Sequence, residues 1–207
     1  MDLSTVSTLQ GLRAAAEAYE GCPLKAFAQC TVFADGYPQG GIVLIGEAPG
    51  AQEDAVGKPF VGRSGQLLDK MLAEIGLSRH TEGQGGVYIT NTVFWRPPDN
   101  RTPTQTEILS CWPFLLKHLE LLRPKIIVMV GGTAVKAVLQ TDKGIGQFRS
   151  RWLEFEVPHV GKVPTLATFH PAYLLRNPPA KKEAWADFLM LREKAEALHL
   201  LPTRTAA

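Results

Sequence analysis

Short apolar runs alternate along this chain with longer segments in which apolar residues recur every three or four positions. The runs predict strands at 42–45, 87–90, 125–130 and 164–168, and the pattern at 152–157 is compatible with an edge strand. The longer segments predict helices at 5–20, 65–75 and 104–122, one after the Gly131–Gly132 pair to 139, and one at 180–200. Strands that alternate with helices indicate an α/β protein with a mainly parallel sheet.

Composition adds a few limits to this outline. The 207 residues suit a single domain spanning 1–207, with an N-terminal helix inside 1–24 and a frayed tail at 202–207. The first residues lack a signal-peptide pattern, and the longest apolar run, 126–130, is too short to cross a bilayer. Three cysteines are an odd number, so we expect a reducing cytoplasm and no disulfide framework. A net charge of +2 does not by itself indicate a nucleic-acid partner.

The segment 42–65 organises the chain. Its apolar strand ends at Gly46-Glu47-Ala48-Pro49-Gly50, and a loop carrying Glu47, Glu53, Asp54 and Phe60 then leads to the helix at Gly65. A glycine-rich, acidic loop at the carboxyl end of a buried strand is where open α/β sheets bind ligands. Residues 25–41 and 95–104 show no clear period and predict loops.

Three of the predicted strands are followed by polar residues, Glu47, Asn91 and His170. Because parallel strands end at one edge of a sheet, these side chains are expected to converge. Each has a plainer interpretation when taken alone. His170 before proline is typical of a structural hydrogen-bonding residue, Asn91 of a turn, and Glu47 of a helix cap, while Phe60 suits the core. Their common placement favours a site.

Three segments carry a family resemblance. GEAPGAQEDAVGKPFVGRSGQLL, YITNTVFWRPPDNRTPTQTE and HPAYLLRNP resemble, in order, the signature blocks of the family 4 uracil-DNA glycosylases, the iron–sulfur type. The resemblance implies a three-layer α/β/α sandwich with a four-stranded, mainly parallel sheet. It implies an enzyme of DNA repair that flips uracil out of DNA and hydrolyses its N-glycosidic bond, leaving an abasic site.

The resemblance also implies roles for single residues. Gly46, Glu47 and Ala48 border the uracil pocket, Phe60 stacks on the base, Asn91 reads the base edge and His170 faces uracil O2. Such a donor stabilises the departing uracil anion, and Asn91 can accept from N3–H while donating to O4. Glu47 and His170 are thus the expected catalytic pair, with Glu47 orienting water or offsetting the cationic sugar.

Contacts to DNA are expected after the histidine. The resemblance puts the strand-penetrating loop at 174–176, where Leu175 fills the vacated stack and Arg176 holds a phosphate; Leu175 in the core is the plainer alternative. Arg63 is a further candidate. The loops 47–64, 91–104, 141–151 and 170–182 together carry ten Lys/Arg against five Asp/Glu, whereas the whole chain has 22 against 20. This bias favours phosphate contacts, including some from 144–149, although solvated loop charge also explains it.

The chain departs from the family at the cluster. Family 4 enzymes hold a [4Fe–4S] cluster with four cysteines. Cys22 and Cys111 match two ligand positions, but Tyr19 and Trp95 stand at the other two, and Cys30 has the wrong spacing. Neither aromatic residue replaces a thiolate. We therefore expect no cluster and no other cofactor or metal, with the two aromatic rings packed in that volume.

Other functions are weighed against this one. A phosphate-loop NTPase would need Ser or Thr where Pro59 stands, and no strand is followed by a dinucleotide-binding G-x-G-x-x-G. A related group traps DNA covalently through a histidine on a basic insertion, but 92–104 has Arg96 and Arg101 and no histidine. The remaining alternative is a module that binds uracil or damaged DNA without cleaving. Uracil-containing DNA, single- or double-stranded, is the expected partner of a monomer.

Overall fold

The computed structural model describes residues 2–202. They form a six-stranded sheet in the order β1-β3-β2-β4-β6-β5. The four middle strands, β3, β2, β4 and β6, are parallel, and the outer strands β1 and β5 pair antiparallel to them. The bounds are β1 Asp35–Gly36, β2 Ile42–Gly46, β3 Val87–Asn91, β4 Ile126–Val130, β5 Leu153–Val157 and β6 Gly161–Thr168.

Helices cover both faces of this sheet. They are α1 Leu9–Ala18, α2 Ala51–Val56, α3 Arg63–Glu74, α4 Gln105–Leu122, α5 Gly132–Leu139, α6 Pro171–Arg176 and α7 Lys181–Ala197. Alternate residues of β2 point to opposite faces: Ile42 and Leu44 pack with α3 and α7, whereas Val43 and Ile45 pack with α4 and α5. The predicted three-layer α/β/α class is confirmed. No helix within residues 2–202 combines the length and apolar character that a membrane crossing requires.

The sheet corrects one part of the prediction. A four-stranded, mainly parallel sheet was expected, whereas four parallel strands form the middle of a six-stranded mixed sheet. The antiparallel edge at β5 agrees with the pattern at 152–157, but β1 lies in the predicted loop 25–41. With two residues, β1 is too short to show a period of two, so no sequence pattern marks it.

Two short helices also replace predicted loops. In the segment after β2, α2 is held by Glu53 and Asp54, and α6 follows His170 where a strand-penetrating loop was expected. Each has six residues, fewer than two turns, so neither produces a readable helical period. Thr104 and Glu107 form a capping box at the start of α4, where the predicted helix 104–122 begins. In the predicted tail 202–207, residues 203–207 lie outside the described part.

The parallel register fixes where the strand ends meet. Gly46 at the end of β2 pairs with Asn91 at the end of β3, and Val130 pairs with Thr168 at the ends of β4 and β6. Residues that follow these four strands therefore share one edge of the sheet.

Candidate active site

A cavity of about 480 Å³ opens at the carboxyl edge of the parallel strands. It is lined by the segment after β2, by the start of α3, by the turn at 100–102 and by α6. The lining residues are Glu47, Ala48, Pro49, Gly50, Glu53, Phe60, Ser64, Asn100, Arg101, Thr102, His170, Ala172 and Arg176. Five of the predicted site residues thus line one cavity: Glu47, Ala48, Phe60, His170 and Arg176.

Gly46 and Asn91 lie directly behind that lining. A Cβ placed on Gly46 would lie 2.4 Å from Asn91 Oδ1 and 2.5 Å from the Phe60 ring, which are impossible contacts. Only glycine therefore permits the amide and the phenyl ring to approach each other here. Asn91 is 1 % exposed, and its Oδ1 has no hydrogen-bond partner among the described residues. An unpaired buried acceptor is costly, and a ligand N–H can satisfy it.

His170 stands at the start of α6 with one ring nitrogen already occupied. Its Nδ1 accepts from the backbone N–H of Ala172 at 3.1 Å, so the neutral ring carries its proton on Nε2. The ring stacks on Phe60 with centroids 5.4 Å apart and planes inclined by 29°. Gly131, with φ of +101°, makes room for it, because a Cβ there would lie 2.9 Å from His170 Cβ. The imidazole is thereby fixed with an N–H donor to offer.

The surroundings of His170 keep the ring neutral. Burial lowers its pKa to about 4, and the positive charge of Arg176 adds to this lowering, while Glu53 opposes it. At neutral pH the side chain is therefore an uncharged hydrogen-bond donor.

Two threonine hydroxyls hold Glu47. Thr92 Oγ1 donates to the Glu47 carbonyl at 2.6 Å, and Thr133 Oγ1 donates to one carboxylate oxygen, Oε2. Sequence reasoning missed both threonines. Thr133 carried a usable signal, since it lies shortly after β4, as Glu47 and His170 lie shortly after β2 and β6, and as Asn91 ends β3. Glu47 is half-buried and lines the cavity, and its Oε1 has no hydrogen-bond partner among the described residues.

Glu53 serves the loop itself. Its Oε1 accepts from the backbone N–H groups of Val61 and Gly62, both at 2.9 Å, and its Oε2 accepts from Gly50 at 3.1 Å. Asp54 similarly accepts from the N–H groups of Gln29 and Cys30. Both acids therefore hold main chain in position, which leaves Glu47 as the carboxylate with an oxygen to offer the cavity.

Of the predicted DNA-contacting residues, Arg176 lines the cavity, Leu175 precedes it in α6, and Arg63 precedes the lining residue Ser64 in α3. Leu174 is buried in the core, whereas the neighbouring Leu175 is 36 % exposed, so the core alternative for Leu175 is wrong. Arg176 and Arg63 are exposed, and Arg176 lines the cavity. Of the ten loop cations, three pair with carboxylates: Lys58 with Asp35, Arg101 with Glu107, and Arg149 with Glu183 and Asp187. In the described chain the other seven have no ion-pair partner, as phosphate contacts require.

The expected cluster position holds two thiols and an aromatic cluster. Cys22 and Cys111 are buried and interact, which lowers the pKa of Cys22 and raises that of Cys111. The centroid of the Tyr19 ring lies 5.0 Å from that of Phe114 and 6.5 Å from that of Trp95. Trp95 Nε1 donates to Thr31 Oγ1. No three His, Cys, Asp or Glu side chains within residues 2–202 group as metal ligands. Two thiols do not supply the four ligands of a [4Fe–4S] cluster, so these residues do not fit it.

Comparisons with known proteins agree with this geometry. The model of the uracil DNA glycosylase superfamily matches residues 33–189. The chain is 35% identical to the type-4 uracil-DNA glycosylase of Pyrobaculum aerophilum, over 88% of this chain and 92% of that protein. It is 41% identical to the type-4 enzyme of Thermotoga maritima, over 75% and 77%. A type-5 uracil-DNA glycosylase of P. aerophilum is 34% identical over 66% and 63%. The chain belongs to the uracil DNA glycosylase superfamily.

Proposed function

We propose that this protein is a uracil-DNA glycosylase of DNA repair, which releases uracil and leaves an abasic site. Membership of the superfamily and the type-4 relatives support this activity. One observation carries the assignment to this cavity: a fixed imidazole N–H and an unpaired buried amide oxygen flank the same phenyl ring. A planar base with an acidic N–H and carbonyl oxygens matches these three groups.

His170 is the proposed donor to the leaving group. When the C1′–N1 bond breaks, its electron pair stays with uracil, and negative charge develops at O2. A preorganised N–H aimed at that oxygen stabilises the charge by about 3 kcal/mol or more. The lowered pKa of His170 supports a neutral donor, since the ring needs no added proton to present Nε2–H.

Glu47 is the proposed partner on the sugar side. The oxygen of a water molecule adds to C1′, and the proton that the water loses is balanced by the proton that the departing uracil anion takes up, so the products are an abasic site and neutral uracil. A carboxylate with one oxygen held by Thr133 can accept a hydrogen bond from that water through the other oxygen, and its charge offsets the cationic sugar.

Asn91 is the proposed reader of the base edge. Its Oδ1 accepts from uracil N3–H, and its amide N–H donates to O4. Cytosine presents an acceptor and a donor at these two positions, so the buried amide would face unpaired groups. Phe60 stacks on the base, and Gly46 and Ala48 border it.

The base must leave the duplex or single-strand stack to enter. Exposed Leu175 is proposed to fill the vacated position, and Arg63 and Arg176 to contact phosphates on either side. The unpaired loop cations add charge to this face.

The activity is tested with a single-stranded oligonucleotide containing one uracil, followed by alkali to cut at abasic sites. We expect cleavage after treatment with the wild type and a loss of roughly 100-fold or more with His170→Ala. A gel shift with no alkali-labile site would instead identify a binding module. A panel with hypoxanthine, xanthine and thymine mispairs, in single- and double-stranded form, defines the lesions.

The edge-reading role has its own test. Asn91→Asp puts a carboxylate opposite O4, where it repels the carbonyl, so uracil release should fall by 100-fold or more. Leu109→Asn, an exposed position on α4, is the matched control and should leave release unchanged. Unchanged release by Asn91→Asp would remove Asn91 from this role.

Turnover, not covalent trapping, is proposed, because 92–104 carries no histidine. Excess uracil-containing DNA should be fully processed, and no adduct should survive hot detergent electrophoresis. A persistent adduct would contradict turnover.

We also propose that the protein holds no iron–sulfur cluster and needs no metal. The aromatic packing of Tyr19 and Trp95 beside only two thiols supports this. Anaerobically purified protein should lack visible charge-transfer absorbance and stoichiometric iron, and its activity should survive chelators. Four iron atoms per chain would overturn the proposal.

The chain is further proposed to act as a cytoplasmic monomer that folds as a single domain. A single sheet that collects strands from Asp35 to Thr168 supports one folding unit. The three unbridged cysteines suit a reducing compartment. Sedimentation across a concentration series tests the monomer.

A further inference from the structure

Arg79 is a buried cation that neither the cavity lining nor the DNA-facing surface includes. It lies between α3 and β3, and its side chain is 2 % exposed. Two acids compensate its charge, with Nε 2.9 Å from Asp69 Oδ1 and Nη1 3.5 Å from Asp35 Oδ2. A guanidinium buried this deeply needs partners for all of its donors.

Two further hydrogen bonds of Arg79 go to the main chain beside the cavity. Nη1 donates to the Pro59 carbonyl at 2.6 Å, and Nη2 donates to the Phe60 carbonyl at 2.9 Å. These two bonds hold consecutive peptide groups in one planar fork. Both peptides belong to the turn that presents the Phe60 ring.

That turn is strained. Phe60 has φ of +54°, a left-handed conformation that a bulky side chain rarely adopts. Its carbonyl is also pressed against Gly65, where a Cβ would lie 1.8 Å from the oxygen. Such a conformation persists only when its surroundings over-determine it; here Arg79 donates to the Phe60 carbonyl, and the missing side chain of Gly65 leaves room for it.

The backbone at Phe60 sets the direction of its ring. The ring reaches from this turn to Gly46 on one side and to the imidazole of His170 on the other. A small rotation of the peptide would therefore move the ring away from both neighbours. A stacking contact depends on the position and the tilt of the ring, so the orientation of this peptide matters for stacking on a base.

We infer that Arg79 is a positioning residue, which acts through the main chain of Phe60 to hold the phenyl ring in its base-stacking place. The inference rests on the proposed function. Arg79 touches no substrate; its guanidinium fixes the carbonyl whose orientation decides where the ring lies.

A double-mutant cycle tests this, with single-turnover uracil release measured at saturating enzyme. Arg79→Lys keeps the charge but cannot make the fork, so release should fall roughly 5- to 100-fold, the range expected for a lost stacking contact. Phe60→Ala should fall similarly. In the Phe60→Ala background Arg79→Lys should then cost less than about 2-fold, because the ring that it positions is gone.

Stability is separated from positioning by a control on α1. Leu12→Ala removes a fully buried side chain that does not line the cavity, and it should lower the melting temperature while leaving release unchanged. Equal losses from Arg79→Lys in both backgrounds would overturn the inference, as would a loss of release in Leu12→Ala that matches its loss of stability.

A second variant covers poor folding of Arg79→Lys. Gly65→Ala pushes on the same Phe60 carbonyl through its added Cβ and leaves Arg79 in place. Gly65→Ala should lower the rate of uracil release in the wild-type background, and it should lower the rate little further in the Phe60→Ala background. An unchanged rate in the wild-type background would contradict the inference. Absence of release by the wild type would show that the proposed function is wrong, whereas an active wild type with an additive cycle would refute only the role of Arg79.

Discussion

At the scale of single residues, the carboxylate of Glu47 meets a hydroxyl from the first turn of α5. Thr133 donates to Oε2, and Thr92 fixes the same residue through its carbonyl. A carboxylate on a flexible loop samples several rotamers, but one held at an oxygen and at its backbone points in one direction. The proposed water-orienting role of Glu47 therefore depends on a threonine that does not line the cavity.

Replacing that hydroxyl gives a prediction at this scale. Thr133→Val keeps the shape and removes the donor, so kcat should fall roughly 10-fold with little change in KM, because a hydrogen bond to a charged group is lost. Thr133→Ser retains the hydroxyl and should keep most of the activity. Steady-state kinetics on uracil-containing DNA measure both, and equal losses in the two variants would indicate that the methyl group, not the hydroxyl, matters.

At the scale of elements, α6 does more than follow the last parallel strand. Its N-terminal turn uses His170 as the cap, and this bond selects the tautomer that presents Nε2–H. Arg176, at the other end of the same helix, contributes to the lowered pKa of the imidazole. One short helix thus fixes the orientation and helps to fix the charge of the proposed donor.

This coupling predicts the pH dependence of base release. Because His170 has a pKa of about 4, single-turnover release should stay level as the pH falls through 6.5 and decline only near 4, where protonation of Nδ1 breaks its bond from Ala172. Arg176→Gln removes a positive neighbour, favours the imidazolium and should move this decline to higher pH.

The matched control for that variant is Arg151→Gln, an exposed cation that does not line the cavity and does not contribute to the shift of His170. It should leave the pH profile in place. A rate that rises as the pH drops through 6.5 would mean that the charged ring is the active form.

The elements also explain which parts of the fold the sequence could predict. Parallel strands buried on both faces appear as continuous apolar runs, so β2, β3 and β4 were predictable, as were Glu47 and Asn91 at the ends of two of them. Two-residue β1 and six-residue α2 and α6 depend on single contacts, such as Glu53 with Val61 and Gly62, and leave no period. The contacts of Arg79 could not be predicted either, because nothing in its own segment indicates that it bonds to the carbonyls of Pro59 and Phe60.

At the scale of the whole molecule, charge separates two regions. Seven cations of the loops 47–64, 91–104, 141–151 and 170–182 have no ion-pair partner among the described residues, whereas the interior holds two neutral histidines. His118 is fully buried between Phe33 and Tyr88, whose hydroxyl lies 3.0 Å from Nε2, and burial lowers its pKa to about 3. The pKa of His170 is lowered to about 4. The ordinary pKa of both rings is 6.5. Below that pH the unfolded chain therefore binds protons at these two histidines, whereas the folded chain binds them only at lower pH.

The sign of the resulting pH dependence follows from this difference. Above pH 6.5 both rings are neutral in either state, and their contribution to stability is complete. As the pH falls from 6.5, the unfolded state binds more protons, and the free energy of unfolding decreases by about 1.4 kcal/mol per pH unit for each histidine. The loss from His170 should level off near pH 4 and that from His118 near pH 3.

Urea unfolding at a series of pH values measures this slope. His118→Phe combined with Tyr88→Phe removes one titrating ring without leaving the tyrosine hydroxyl unpaired, so the slope between pH 6.5 and 4 should become shallower by about 1.4 kcal/mol per unit. His80→Gln, at an exposed position, is the control and should leave the slope unchanged. An unaltered slope in the double variant would mean that His118 is protonated inside the fold, which its enclosure by aromatic rings opposes.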